Sequence, residues 1–147
     1  MKKTLFYLGL IVVTGCSFER ADTVSLILQT DREQYEANET IKVTVRNVST
    51  FDIYYSTCMP TRLEQIEGDE IKGVLGFPVC ECICLAELKP NESWIHEVDL
   101  SWLNEIGLSA DLGSEYRILL SFYRDEAMGD LLEESELYTN RFVLQSE

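Results

Sequence analysis

The chain consists of short segments in which apolar and polar residues alternate, separated by turn residues. Ile41, Val43 and Val45 alternate with polar residues, the period of two expected of a half-buried strand. Further strands are predicted at 24–29, 51–57, 79–88, 94–100, 116–123 and 138–144. This pattern predicts an all-β fold, an antiparallel sandwich of seven to eight strands.

Three segments interrupt the alternation. Residues 62–71 are more polar, with a turn predicted at Gly68-Asp69. Residues 102–112 are ambiguous and include room for a helical turn. Residues 125–136 form an acidic loop or a short helix. Neither an internal repeat nor a low-complexity tract is evident in the sequence.

A tyrosine at the start of the penultimate strand favours an immunoglobulin-like sandwich. Tyr116 opens the strongly alternating segment 116–123, just after the turn residue Gly113. A tyrosine corner occupies this position in immunoglobulin-like sandwiches, and its hydroxyl donates to backbone a few residues upstream. The alternative is an ordinary aromatic residue in a cross-strand pair.

The N-terminus has the character of a secretory signal. Lys2 and Lys3 precede an apolar run at 5–13. As a helix, this run reaches about 14 Å, roughly half of the 30 Å hydrocarbon core, so a signal peptide is favoured over a transmembrane anchor.

The residues that end this segment resemble the lipobox of bacterial lipoproteins. Val13, Thr14, Gly15 and Cys16 match its branched apolar, small, glycine and cysteine positions in order. The resemblance implies acylation of Cys16 and cleavage after Gly15. It predicts a signal peptide at 1–15, a lipidated tether at 16–23 and a domain at 24–147. The alternative is an ordinary signal peptide with an accidental cysteine.

Lipidation would hold the domain outside the cytoplasm, on the cell membrane or an outer membrane. Two or three acyl chains anchor a protein stably, whereas one does so marginally. Ser17 follows the cysteine in place of Asp, and in a host with two membranes the lipoprotein rule then favours the outer one.

The charge of the chain restricts its partners. The net charge is −14, and removal of Lys2 and Lys3 with the signal peptide would make the domain two charges more negative. An acidic domain repels nucleic acid and anionic lipid headgroups. Proteins, cations or neutral molecules are predicted as partners instead, besides the membrane contact through the lipid, and the sequence indicates neither a cofactor nor a small-molecule substrate.

A second resemblance concerns the domain. The segment from Tyr35 to Asn47 (a tyrosine, a short turn, an alternating strand, then asparagine) is followed by Leu88-Lys89-Pro90-Asn91-Glu92-Ser93 and Gly113-Ser114-Glu115-Tyr116-Arg117. In this order they resemble the BsuPI-type, or intracellular proteinase inhibitor, family. The resemblance implies an immunoglobulin-like domain and suggests protease inhibition. Predicted export and the Cys80-Glu81-Cys82-Ile83-Cys84 run depart from that family.

Four cysteines remain in the predicted domain: Cys58, Cys80, Cys82 and Cys84. In a regular strand the last three would share one face about 6.6 Å apart, too far to pair with one another without a bend. Cys58 could bridge one of them from an adjacent strand end. The three readings are structural disulfides, a thiolate site for Zn²⁺ or Cu⁺, and thiol exchange with a partner.

The remaining polar residues give no catalytic assignment. His96 shares a predicted strand face with Trp94 and Val98 and is interpreted as packed or surface-exposed. The carboxylates of 125–136 lack EF-hand spacing and favour a solvated loop over a Ca²⁺ site. The formal sequon Asn47-Val48-Ser49 is interpreted as turn chemistry.

The sequence predicts a non-enzymatic cell-envelope lipoprotein that acts as a protein-binding or assembly module. The alternatives are an inhibitor of extracytoplasmic proteases and a metal-handling lipoprotein that uses the cysteine cluster.

Overall fold

The computed structural model describes residues 25–58, 61–76, 84–102, 111–132 and 137–145. Ten strands lie within these residues, and the helical residues among them are Ser101 and Trp102. They are β1 (Leu26–Thr30), β2 (Gln34–Glu36), β3 (Thr40–Asn47), β4 (Ile53–Ser56), β5 (Arg62–Glu67), β6 (Glu70–Gly76), β7 (Leu85–Leu88), β8 (Ser93–Asp99), β9 (Glu115–Leu119) and β10 (Phe142–Gln145). The all-β prediction is confirmed, with more strands than the seven to eight expected.

The strands form an immunoglobulin-like sandwich. One sheet has the order β1-β3-β8, a second has the order β2-β10-β9-β5-β6, and a two-stranded sheet pairs β4 with β7. Neighbouring strands are antiparallel except β2 and β10, which are parallel. Side chains from all three sheets join one buried core cluster, as a sandwich requires.

Strand β3 shows how the alternating pattern builds this core. Its odd-numbered residues are buried and its even-numbered residues are exposed, because successive side chains on a strand point to opposite faces. Ile41, Val43 and Val45 are fully buried. The five-stranded sheet contributes the rings of Tyr35 and Phe142, which pack edge to face with their centroids 5.4 Å apart. The predicted strand at 41–45 is therefore confirmed and extends to Thr40–Asn47.

The tyrosine corner is also confirmed. The Tyr116 side chain is buried, and its hydroxyl donates a hydrogen bond of 3.1 Å to the Asp111 carbonyl five residues upstream. Gly113 takes a φ of +84° between them, a conformation that glycine adopts without a Cβ penalty. This bond fixes the turn that leads into β9.

The polar segment 62–71 is a β-hairpin, whereas the sequence indicated only its turn. Strands β5 and β6 pair on either side of Gly68 and Asp69, and Gly68 has a φ of +65°. The turn prediction is confirmed. The strands themselves were missed because charged residues break the apolar alternation in both.

Other predicted strands differ in their bounds. The segment 116–123 pairs as a strand only to Leu119, with a further isolated bridge at Tyr123. The candidate strand 79–88 appears as β7, and residues 77–83 lie outside the described residues. In the ambiguous segment 102–112, residues 103–110 also lie outside them.

Candidate functional site

The cysteine region lies at one end of the β4–β7 sheet. Ser56 pairs with Leu85, so Cys58 follows the last pair and Cys84 precedes it. The backbone amide and the hydroxyl of Thr57 both donate to the Cys84 carbonyl, at 2.8 and 3.0 Å. The structure thus brings Cys58 and Cys84 to adjacent strand ends, which is where the sequence located the candidate bridge.

Which of these cysteines form disulfides is still a prediction. No disulfide joins two of the described residues. Cys80 and Cys82 lie outside those residues. The described part of the chain contains no group of three or more histidine, cysteine, aspartate or glutamate side chains arranged to hold a metal ion.

Cys16 and the whole segment 1–24 lie outside the described residues. The signal peptide, the tether and lipidation of Cys16 are therefore still predictions. No helix in the part of the chain that the structure describes has the length and apolar character needed to cross a membrane.

His96 is half-buried on β8, on the strand face that it shares with Trp94 and buried Val98. Its Nε2 atom lies 2.9 Å from the hydroxyl of buried Thr61, and its ring centroid is 5.1 Å from that of Trp94. Trp94 stacks in turn on Tyr55 at 4.2 Å. Burial lowers the pKa of His96, because the imidazolium loses its hydration there. These contacts fit the packed histidine that the sequence favoured over a catalytic base.

The lowered pKa of His96 predicts a specific acid sensitivity. In the unfolded chain histidine titrates near pH 6.5, so below about that pH the unfolded state binds a proton more readily than the native state. Its contribution to the free energy of unfolding is therefore full above that pH and declines as the pH falls toward the lower native value. Urea unfolding of wild type and His96→Gln between about pH 7.5 and pH 5.5 measures the effect. Wild type should lose more stability than the variant, and equal losses would contradict the prediction.

The described part of the acidic segment folds back on itself. The Asp125 carboxylate accepts hydrogen bonds from the Gly129 and Asp130 amides, at 3.1 and 3.0 Å. Arg124 donates its backbone amide to the Asp130 carbonyl, and its side chain lies 3.7 Å from the Asp130 carboxylate. Asp125 thus acts as a turn-forming side chain, in agreement with the loop interpretation. Residues 133–136 lie outside the described residues.

The outer face of the five-stranded sheet carries a buried ion pair that the sequence did not indicate. Glu64 on β5 is opposite Arg117 on β9 and is only 2% exposed. The Arg117 Nε and Nη2 atoms each lie 3.0 Å from the same Glu64 oxygen, Oε2. The Arg117 guanidinium also covers the Tyr138 ring, with Cζ 3.5 Å from its centroid. No local sequence signal identifies such a pair, because it joins residues 53 positions apart.

Strand β6 beside this pair exposes two aliphatic side chains. Ile71 and Val74 are 48% and 50% exposed. Val74 is opposite Glu64 and Ile71 is opposite Ile66, so both lie on the outer face of the sheet. A hairpin inferred from the Gly68-Asp69 turn would have revealed β6 as a strand, but not its place at the sheet edge.

A polar depression lies next to the β5–β6 turn. It is lined by Gln65, Glu67, Lys72, Ser114 and Glu115, among others. Lys72 pairs with Glu67 at 3.3 Å, and the Gln65 amide donates to the Ser114 hydroxyl. Their polar groups thus contact one another.

Comparison with known proteins leaves the family open. No protein-family model matches the chain. No curated protein matches it either.

Similar solved structures share little of their length or sequence with this chain. They include a novel b-glucosidase EmGH1 from Erythrobacter marinus (15% identity, TM-score 0.37), the sporulation control protein Spo0M from Bacillus subtilis (10%, 0.42) and a beta-glucosidase from Listeria innocua (12%, 0.37). The matches cover 82%, 84% and 84% of this chain, but only 15%, 50% and 16% of those proteins. At these scores they carry no argument about function.

Proposed function

We propose that the chain is an extracytoplasmic lipoprotein whose sandwich is a non-catalytic protein-binding module. The observation that carries the proposal is the sequence Val13-Thr14-Gly15-Cys16, which lies ten residues before the start of β1 at Leu26. Ten extended residues reach about 33 Å, enough to separate the domain from the membrane surface. A sandwich held by one core is a rigid support for a binding surface.

The binding role is supported by the outer face of the five-stranded sheet. Ile71 and Val74 are exposed there, and exposed apolar side chains gathered on one surface are typical of protein contacts. His96 and Asp125 are already engaged in contacts within the domain. Protease inhibition and metal handling stay hypotheses of the sequence, since no contact among the described residues favours either.

Acylation is tested by labelling with radioactive palmitate in cells that produce the full chain. Wild type should carry the label and partition with membranes. Cys16→Ser should lose the label, because the thiol that receives the diacylglycerol is gone. Cys84→Ser is the matched control and should stay labelled. An unprocessed, unlabelled wild-type chain inside the cell would refute the proposal.

The binding role is tested separately by photo-crosslinking of the anchored protein in intact cells. A crosslinking residue at Val74 should give a discrete adduct with another protein, whereas the same residue at Ile95, on the other sheet, should not. Adducts with no specific protein from any surface position would count against a binding module, whatever the outcome for acylation.

A further inference from the structure

We infer that β6 accepts an extended segment of a partner protein as an added antiparallel or parallel strand. This inference rests on the proposed protein-binding role and specifies its surface. Strand β6 is the last strand of the five-stranded sheet, and among the described residues it pairs only with β5. Its seven residues are exposed or half-buried throughout. An edge strand of this kind presents one row of backbone amides and carbonyls outward.

A β-bulge shapes the side-chain face of this edge. Gln65 pairs with Gly73 and Ile66 with Ile71, which leaves Lys72 as the extra residue of β6. Without the bulge, Ile71 and Val74 would point to opposite faces, since they are three positions apart. With it, both side chains lie on the outer face of the sheet. The bulge therefore gathers two exposed aliphatic side chains beside one edge.

The backbone determines the chemical class of the occupant. From Gly73 to Gly76 the register with β5 is uninterrupted, so this stretch can continue a regular ladder on its other side. A row of alternating backbone donors and acceptors is complemented by another extended polypeptide. Lys72 ends the regular stretch and limits the added strand to a short one.

Charge selects a basic heterologous segment over a second copy of this chain. Glu67, Asp69 and Glu70 lie at the adjoining turn with highly exposed carboxylates. Lys72 pairs with Glu67 and Glu70, and Arg141 pairs with Asp69, so three carboxylates face two cations there. The whole chain carries −14, so two copies repel each other. The partner segment should alternate apolar side chains, which contact Ile71 and Val74, with lysine or arginine.

The test uses a synthetic peptide of alternating valine and lysine and the full chain purified in detergent. Isothermal titration should detect binding, and amide shifts in NMR spectra should concentrate at β6. The same peptide with every second amide N-methylated keeps its charge and side chains but loses donors, so its binding should fall to background. The pair Ile71→Lys and Val74→Lys should weaken binding roughly tenfold or more, since lost apolar contact and added repulsion together exceed about 1.4 kcal/mol.

The control pair is Ile27→Lys and Ile95→Lys. These residues are similarly exposed, lie on β1 and β8 of the other sheet, and add the same charge. Equal weakening by both pairs, or equal binding of the N-methylated peptide, would mean adhesion by charge alone and would overturn the inference. Absence of peptide binding would also overturn it. So would sedimentation of the wild type as a dimer that becomes a monomer in the Ile71→Lys, Val74→Lys variant. If a specific partner captured from a crosslinking residue at another surface position persists in the Ile71→Lys, Val74→Lys protein, the surface is wrong while the proposed function stands.

Discussion

Replacing Arg117 with methionine should lower the free energy of unfolding by about 3 kcal/mol, because it leaves the buried Glu64 carboxylate without its cation. Glu64 is 2% exposed, and Arg117 supplies both of its close nitrogen contacts. Methionine keeps the length of the apolar stem but removes the guanidinium, and with it both the charge that pairs with Glu64 and the cation–π contact with Tyr138. Urea unfolding at neutral pH measures the loss.

The double variant Glu64→Leu, Arg117→Met shows why Arg117→Met is less stable. The cause is either the unpaired Glu64 carboxylate or the loss of a net favourable ion pair. Replacement of a buried pair by apolar residues of similar volume is often close to neutral, so the double variant should recover to within about 1 kcal/mol of wild type. A double variant as unstable as Arg117→Met alone would show that the pair itself stabilises the sheet. An Arg117→Met protein within about 0.5 kcal/mol of wild type would contradict the prediction outright.

The sequence predicted those parts of the fold that depend on local pattern. Strand β3 could be inferred because each apolar residue faces the core and each polar one faces water. Tyr116 could be assigned to a tyrosine corner because the feature lies within five residues of one turn. Both signals are carried by neighbours in the chain.

The features that escaped prediction depend on residues distant in the chain. Strand β5 contains Glu64 at a buried position, which breaks the apolar alternation and becomes acceptable only because Arg117 is opposite it. The bulge at Lys72 likewise follows from the pairing of β5 with β6. A single sequence does not reveal which strands are neighbours, so neither the buried pair nor the β6 surface could be derived from it.

For the cysteine region and His96, the sequence likewise predicted only what depends on strand position. The meeting of Cys58 with the end of the Cys80–Cys84 run followed from the idea of adjacent strand ends, and the pairing of Ser56 with Leu85 agrees with it. For His96 the sequence left a packed and a surface position open, and the structure gives it a contact with buried Thr61. The partners of both residues come from other strands, and for these the sequence supplied only alternatives.

Asn47 shows how a residue recognised as part of a pattern acquires a role only in the fold. Its side chain is fully buried. The amide nitrogen donates to the carbonyls of Phe51 and Leu88, at 2.8 and 2.9 Å, and the amide oxygen accepts from Ser49 N at 2.9 Å. One side chain therefore joins the end of β3 to β7 and to the loop before β4, and it supports the interpretation of the sequon as turn chemistry.

Asn47→Ala should therefore destabilise the domain by about 3 kcal/mol or more, since it deprives two carbonyls and one amide of their partner in a site that water does not reach. Asn47→Asp should cost at least as much, because a carboxylate cannot donate and would lie against the carbonyl oxygens of Phe51 and Leu88. Thermal and urea unfolding measure both losses. Asn38→Ala, at an exposed position before β3, is the matched control and should change stability by less than about 1 kcal/mol. Equal losses at the two asparagines would show that the three hydrogen bonds of Asn47 do not hold the sheets together.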